Sequence, residues 1–224
     1  MRAAAILFDS FGTLFDMEAL RQRLASIGVT GLGLELWRAR TVRDGIALSA
    51  TGTFRPYREV AQSALVTLIA ELGNRPDPSR VEEVMAGFSD LPCFRDVRPA
   101  LTQLAEGGTR RAILTNGSAE ETRALLAKSG VQDMVQPVVS IDDVQRWKPF
   151  PEPYQRAAKE LLLEPRQVAF VSSLPWDVEG ARRAGMFGIL LQRRGGHHQP
   201  AMPPPDLTIA GLAELAQVGA RIDP

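Results

Sequence analysis

Polar residues stand directly after several apolar runs of this chain, at the points where buried strands would end. Among them are two acids and a lysine. A carboxylate beside a lysine makes a reactive pair, since the acid can serve as nucleophile or base while the ammonium balances its charge. The sequence therefore predicts a convergent catalytic or binding site. The residues that suggest it are Asp9, Thr115, Asn116, Lys148, Ser172, Ser173 and Asp177.

The apolar runs that precede these residues are typical of buried parallel strands. Segments with helical periodicity separate them, and several of these end at a glycine suited to a helix C-cap. This alternation predicts an α/β fold with a parallel sheet covered by helices on both faces. The carboxyl ends of such strands share one crevice, where ligands bind. The predicted strands are Ala3–Phe8, Arg111–Asn116, Val168–Ser173, Gly188–Gln192 and, more weakly, Pro137–Ile141.

One long interval, from about Phe15 to Leu91, carries successive helical patterns and no convincing strand. We expect it to form a helical domain inserted after the first strand. The predicted division is 1–15 with 92–224 for the sheet-containing core, and 16–91 for the insertion. A Gly- and Pro-rich stretch, Gln192–Asp206, is predicted to be a surface loop with solvated basic and histidine side chains.

Composition excludes several classes of protein. The 224 residues are 45% hydrophobic and carry 26 basic and 26 acidic side chains, as in an ordinary globular protein. A net charge near zero gives no general attraction to nucleic acid or to a membrane surface. No stretch approaches the roughly 20 apolar residues of a membrane helix, and the single Cys93 cannot form an internal disulfide. We expect a cytoplasmic protein with neither a nucleic-acid nor a membrane partner.

Each polar residue also has an ordinary structural explanation. Asp9 could begin a turn, Thr115 or Asn116 could cap a helix, and Lys148 could be a solvated loop lysine. Capping alone does not explain why all of them fall at one edge of one sheet. The convergent site is therefore favoured.

The order of these motifs resembles that of the haloacid dehalogenase superfamily. The chain has an opening "DxxGT" at Asp9, a threonine after the second strand, a lysine before a proline, and a later acidic motif. The resemblance covers nearly the whole chain. It implies a doubly wound core of the haloacid dehalogenase type, a helical cap inserted after the first motif, and an aspartate nucleophile.

The individual motifs are similar to those of the L-2-haloacid dehalogenase branch. "FDSFGTLFD" resembles "FDxYGTLFD", "LTNGS" resembles "LSNGS", "KPFPEPY" resembles "KPxxxxY", and "FVSSLPWDVEGAR" resembles "FVSSNAWDxxGAR". Phosphatase members instead resemble "DxDGT", whose second Asp acts as an acid and helps to retain Mg²⁺. Phe11 at that position can do neither, and the acidic motif keeps only Asp177. No metal and no cofactor are expected.

This resemblance implies hydrolytic dehalogenation of a small molecule, a short 2-haloalkanoic acid, to a 2-hydroxy acid. Asp9 would attack the carbon that bears the halogen and form an ester, and Asp177 would activate the water that hydrolyses it. Lys148 would orient Asp9. Arg38 of "LWRAR", with Asn116, would stabilise the leaving halide, although it could also be a cap arginine whose stem lies along apolar surface.

Supporting roles are implied for a further set of residues. Thr115 and the amides of Ser10 and Phe11 would hold the substrate carboxylate. Tyr154 would support the lysine and the acids, or be only a half-buried helix tyrosine. The residues implied in substrate binding and support are Ser10, Phe11, Thr115, Asn116, Tyr154, Ser172, Ser173, Leu174 and Trp176.

Some positions depart from the branch. Leu174 stands where the family has Asn, Phe11 where it usually has Tyr, and residues 42–44 replace part of the usual pocket wall. Two alternatives therefore stay open: a Mg²⁺-dependent phosphatase of small phosphate esters, and a non-catalytic protein of the same fold. Because dimers are the commonest oligomers, a homodimer is a further expectation.

Overall fold

The computed structural model describes residues 3–193 and 198–218 of the chain. Its strands form one parallel sheet in the order β3-β2-β1-β4-β5-β6. The first strand lies inside the sheet, paired with β2 on one side and β4 on the other. The strands are β1 (Ala5–Phe8), β2 (Arg110–Thr115), β3 (Val138–Ser140), β4 (Val168–Ser172), β5 (Phe187–Leu191) and β6 (Leu207–Ile209).

Helices lie between most of these strands, with a run of them between β1 and β2, and short 3₁₀ turns lie between several elements. Local sequence explains their starts: Asp77 accepts a hydrogen bond from the Ser79 amide ahead of α4, and Ser118 accepts one from the Glu121 amide ahead of α6, as N-caps do. The helices are α1 (Arg21–Ser26), α2 (Gly33–Ala50), α3 (Tyr57–Glu71), α4 (Pro78–Ala86), α5 (Val97–Glu106), α6 (Ala119–Lys128), α7 (Pro151–Glu160), α8 (Pro175–Arg183) and α9 (Leu215–Val218).

Both faces of the sheet are covered, because the strands are apolar at successive positions. In β1, Ile6 and Phe8 pack into a cluster that includes residues of α5 and α6. Ala5 and Leu7 point to the other face and pack with residues of α7 and α8. This three-layer α/β architecture agrees with the predicted fold class.

Residues 17–90 fold into helices α1 to α4 and short 3₁₀ turns, with no strand, as the sequence predicted. The two ends of this helical segment lie side by side. The Asp16 amide donates to the Pro92 carbonyl at 2.8 Å, and the Phe94 amide donates to the Leu14 carbonyl at 3.0 Å. The division into 1–15 with 92–224 and 16–91 stays a prediction, which this pairing supports.

The five strands predicted from sequence are confirmed, with ends that shift by up to two residues. The sixth, β6, was missed, because its three residues follow a Pro-rich stretch that was taken as loop up to Asp206. Residues 194–197 of that predicted loop lie outside the described residues. None of the helices in the described ranges is both long and apolar enough to cross a lipid bilayer.

The prediction of solvated basic side chains in this loop is wrong for Arg193. Its guanidinium donates to the Thr13 carbonyl at 2.9 Å and to Asp96 Oδ1 at 2.9 Å. It also lies 3.8 Å above the centre of the Phe94 ring. Arg193 therefore braces the loop that follows β1.

Candidate active site

The two predicted acids and the lysine meet at the carboxyl end of the central strands. Asp9 directly follows β1, and Asp177 lies in the first turn of α8, after β4. Lys148 Nζ lies 2.8 Å from Asp9 Oδ1 and 2.7 Å from Asp177 Oδ2. All three residues are buried. The lysine thus bridges two carboxylates away from bulk water.

Every oxygen of these two carboxylates has a hydrogen-bond donor. Besides the lysine, Thr13 Oγ1 donates to Asp9 Oδ2 at 2.8 Å. The Tyr154 hydroxyl donates to Asp177 Oδ1 at 2.6 Å, and Ser172 Oγ lies 3.1 Å from Asp177 Oδ2. A buried charge is costly unless it is paired in this way. The network therefore fixes the position of Asp9 before any substrate binds.

The charges within this network perturb its pKa values. Burial alone would lower the pKa of the Lys148 ammonium, but the charges of Asp177 and Asp9 outweigh it and raise the pKa above its usual value. Burial raises the pKa of Asp177 to about 6, against the opposing effect of Lys148. Burial and the Asp177 charge hold the pKa of Tyr154 well above its usual value. At pH 7 the lysine is charged, the tyrosine is a phenol, and Asp177 is a stronger base than a solvated carboxylate.

A glycine allows a cation to approach the loop after Asp9. Gly12 has φ +84°, and a Cβ there would lie 2.7 Å from Arg38 Nη2. The positive φ favours glycine, and the absence of a side chain leaves room for the guanidinium. Arg38 is half-buried, and its guanidinium makes no hydrogen bond or ion pair with any other residue of the described ranges. An unpaired, half-buried guanidinium is suited to an anion.

A second group of polar side chains lies at the end of β2. Ser10 Oγ and Thr115 Oγ1 are 2.6 Å apart, and the Gly117 amide donates to Thr115 Oγ1 at 2.9 Å. Only one hydroxyl proton is used between the first two, so the other is available to a ligand. Asn116 is 7% exposed, and its Oδ1 is buried without a hydrogen-bond partner in the part of the chain that is described.

Aromatic rings from the helical segment cover the crevice. The Tyr57 ring, at the start of α3, lies 5.3 Å from the Phe11 ring and 5.7 Å from the Phe88 ring. It also stacks on Trp147 at 5.7 Å. Burial raises the pKa of Tyr57 to about 12, with smaller effects from the charges of Arg38 and Asp9. Tyr57 therefore lies within electrostatic reach of both charged groups.

Comparison with known proteins identifies the family. A family model described as haloacid dehalogenase-like hydrolase matches residues 3–185. An (S)-2-haloacid dehalogenase of Xanthobacter autotrophicus is 30% identical over 184 residues, covering 81% of this chain and 72% of that relative. The chain belongs to the haloacid dehalogenase-like hydrolases, in the L-2-haloacid dehalogenase branch.

Solved structures of dehalogenases share the whole fold of this family member. One L-2-haloacid dehalogenase aligns with a TM-score of 0.91 at 26% identity, covering 99% of this chain and 100% of that chain. A dehalogenase solved as an intermediate complex aligns with a TM-score of 0.88 at 26% identity, covering 97% and 98% of the two chains. The predicted fold class and family resemblance are confirmed.

Positions where this chain departs from the L-2-haloacid dehalogenase motifs differ in their surroundings. Leu174 brings a half-buried apolar side chain, and its amide lies 3.2 Å from Ser172 Oγ. Arg43 and Asp44 pair with each other at 2.7 Å, and Arg43 is exposed while Asp44 is half-buried. These two residues therefore lie at the surface instead of in a pocket wall.

The structure brings several of the predicted site residues into one hydrogen-bonded network, and Trp176 is not part of it. Ser173 joins the network, because its amide donates to Thr13 Oγ1 at 3.0 Å. The Trp176 side chain is half-buried but makes no hydrogen bond or ring contact with another described residue. Its predicted role in substrate binding has no contact to support it.

Two residues at the site were missed from sequence. Thr13 donates a hydrogen bond to Asp9, and the "DxxGT" motif carried that signal, but Thr13 was not among the predicted site residues. Tyr57 had no such signal, because a tyrosine at a helix start far along the chain does not indicate which loop it will contact.

Cation binding has few candidate ligands here. Within 3–193 and 198–218, no group of three or more His, Cys, Asp or Glu side chains is arranged to hold a metal ion. Between Asp9 and Asp177 the space is taken by the Lys148 ammonium.

Proposed function

We propose that this chain hydrolyses short 2-haloalkanoic acids to 2-hydroxy acids, through an ester on Asp9 and without a metal ion. One observation carries the proposal: Asp9 is held by Lys148 beside a loop over which the unpaired guanidinium of Arg38 lies. This arrangement offers a nucleophile and an anion site on adjacent groups. The named activity of the (S)-2-haloacid dehalogenase relative supports the reaction class.

In the first step, an Asp9 oxygen attacks C2 of the substrate. A carbon–oxygen bond forms as the carbon–halogen bond breaks, and the halide leaves with the bonding electrons, which inverts the carbon. Arg38 and the Asn116 amide stabilise the developing negative charge. Lys148 stays protonated and keeps Asp9 oriented throughout.

The substrate carboxylate needs donors at the other end of the site. The free hydroxyl proton of the Ser10–Thr115 pair is one. The backbone amides of Ser10 and Phe11 are two more, since neither donates a hydrogen bond to another described residue. These three donors lie on the loops that follow β1 and β2, beside the nucleophile.

In the second step, water attacks the carbonyl carbon of the Asp9 ester. Its acyl–oxygen bond breaks, the 2-hydroxy acid leaves, and the Asp9 carboxylate is restored. Asp177 takes the proton of the attacking water and passes it to the departing alkoxide. The whole cycle consumes one water and releases one halide ion and one proton. The related dehalogenase solved as an intermediate complex supports a stepwise path.

The test is halide release from L- and D-2-chloropropionate by the purified protein in EDTA, with Asp9→Asn as the control. We expect L-selective release that Asp9→Asn abolishes, and a protein mass raised by one propionate ester in a rapidly quenched reaction. Full release by Asp9→Asn would end the ester mechanism. Release of phosphate from small phosphate esters only with Mg²⁺ would establish the phosphatase alternative, and inactivity on both substrate classes the non-catalytic one.

We also propose a cytoplasmic homodimer that binds no nucleic acid. Exposed leucines on the helical segment support the pairing: Leu32 at 78%, Leu36 at 42% and Leu72 at 51% exposure. Light scattering on a size-exclusion column measures the mass, and a monomer at micromolar concentration would contradict the dimer.

A further inference from the structure

The residue before the site lysine is anchored in the helical segment instead of in the sheet. Trp147 belongs to the loop after β3, yet it is fully buried. Its backbone amide donates to Ser49 Oγ at 3.0 Å, and its indole N–H donates to the Arg55 carbonyl at 2.9 Å. Both of its donors are therefore satisfied by residues 98 and 92 positions earlier in the chain.

Helix α2 has a gap that receives the indole. A Cβ on Gly45 would lie 2.3 Å from two ring carbons of Trp147. Gly45 is within a regular helix, so glycine is needed there for space and not for backbone freedom. The missing side chain lets the ring pack directly on the helix backbone. One turn later, Ser49 Oγ accepts the hydrogen bond from the Trp147 backbone amide.

The same helix face carries Arg38. Arg38 precedes Gly45 by seven residues, which is about two turns of an α-helix, so both point to one side. Helix α2 therefore touches the site at two places. Arg38 lies over Gly12, in the loop after Asp9, and Gly45 holds Trp147, next to Lys148.

Tyr57 extends this contact across the crevice. Its ring stacks on Trp147 at 5.7 Å and lies 5.3 Å from Phe11, two residues after Asp9. A displacement of Trp147 would consequently be felt at both the lysine and the nucleophile loop. Displacements of about 1 Å can reduce turnover by about 10²-fold.

We propose that Trp147 is a positioning residue, which sets the distance between Arg38 and the Asp9–Lys148 pair by fixing α2 against the lysine loop. The indole acts as a spacer between the anion site and the nucleophile. The inference deepens the proposed function and rests on it. It predicts that a single methyl group at Gly45, remote from the substrate, changes how well the enzyme expels different halides.

The experiment compares Gly45→Ala with Ala47→Ser, which adds one heavy atom at an exposed position of the same helix. Initial rates are measured with 2-chloropropionate and 2-bromopropionate. We expect Gly45→Ala to lose about tenfold or more in kcat, with a greater loss for chloride, the poorer leaving group, because Arg38 is displaced. KM should change less. Ala47→Ser should match the unaltered protein on both substrates.

A double variant separates positioning from folding. Trp147→Leu shortens the side chain and makes room for the added methyl group. Adding Gly45→Ala to Trp147→Leu should therefore reduce kcat much less than adding Gly45→Ala to the unaltered protein. A purely structural role would lower the unfolding free energy of Gly45→Ala and leave the chloride-to-bromide rate ratio unchanged. That result, or equal losses in both backgrounds, would overturn the proposal.

Chloride NMR line broadening measures chloride binding without turnover, and Arg38→Met is the negative control. We expect Gly45→Ala to weaken chloride binding although Arg38 is intact. If the unaltered protein releases no halide and binds no chloride, the proposed function fails and the positioning inference fails with it. If the unaltered protein is active and Gly45→Ala equals it in rates and in chloride binding, only the positioning inference fails.

Discussion

The two halves of the site differ in how their polar groups are satisfied. Around Lys148, each oxygen of Asp9 and Asp177 has a donor between 2.6 and 3.1 Å away. Around Arg38, the guanidinium has no hydrogen-bond partner among the described residues. The lysine half is complete without a ligand, and we expect the fold to depend on it. The arginine half is incomplete, and we expect substrate to complete it.

The largest effect is expected from Lys148→Met. It leaves two buried carboxylates without their cation, which should lower the unfolding free energy by about 3–5 kcal/mol and abolish halide release. Urea denaturation measures the first effect. The matched control is Lys128→Met, whose exposed pair with Asp90 should be worth less than about 1 kcal/mol. Equal losses in the two variants would remove the distinction between the halves.

Arg38→Met should show the reverse pattern. We expect kcat to fall about 10²- to 10³-fold, as for loss of one group that stabilises developing charge, while the unfolding free energy changes by less than about 1 kcal/mol. Arg40→Met, two residues along α2 and paired with Glu71, is the control for altering an arginine on this helix. A strongly destabilised Arg38→Met would show that the arginine half is also structural.

The pH dependence tests the lysine half. In the proposed mechanism Asp177 must be ionised to accept a proton, and its pKa is about 6. The rate of ester hydrolysis should therefore be constant above that pH and fall about tenfold per unit below it. Single-turnover kinetics across pH 4.5–8 would measure this fall in rate, which is the acidic limb of the pH–rate profile.

Tyr154→Phe sharpens that measurement. The hydroxyl favours the ionised form of Asp177, so its removal should move the limb to higher pH while the ring still packs on Phe170. An unmoved limb would mean that another group controls it.

The smallest effect is expected from Leu174→Asn. Leu174 is the N-cap residue of α8 and makes no side-chain capping bond. Asn at that position should raise the unfolding free energy by about 0.5–1 kcal/mol and change kcat/KM by only a few-fold. Thermal unfolding measures the change in stability, and Leu174→Ala is the control that lacks a capping group. A loss of stability would show that the apolar side chain is needed where it is.

Sequence reasoning recovered what depends on local pattern. Apolar runs that end at Asp9, Thr115 and Ser172 predicted three central strands and the sheet edge where they meet. Motif order predicted the family and the lysine. Strand β6 was missed because three residues carry too little periodicity to be recognised.

What sequence could not supply was contact between the helical segment and the core. The pairing of Trp147 with Gly45 and Ser49 depends on how α2 packs against the loop after β3, and no local pattern reports that orientation. Nor could spacing show that Arg193 would brace the Thr13 carbonyl. Such contacts join residues about 90 to 180 positions apart, so they follow from tertiary packing alone.

The central place of β1 has a consequence for synthesis on the ribosome. This strand emerges first, but its partner β4 begins only at Val168, after residues 9–167 have been made. At about 5–20 residues per second, the first strand and the Asp9 loop are synthesised roughly 10–30 s before β4. The early chain is thus exposed to chaperones and proteases for that time, and stalled nascent chains that end before and after β4 should differ sharply in protease resistance.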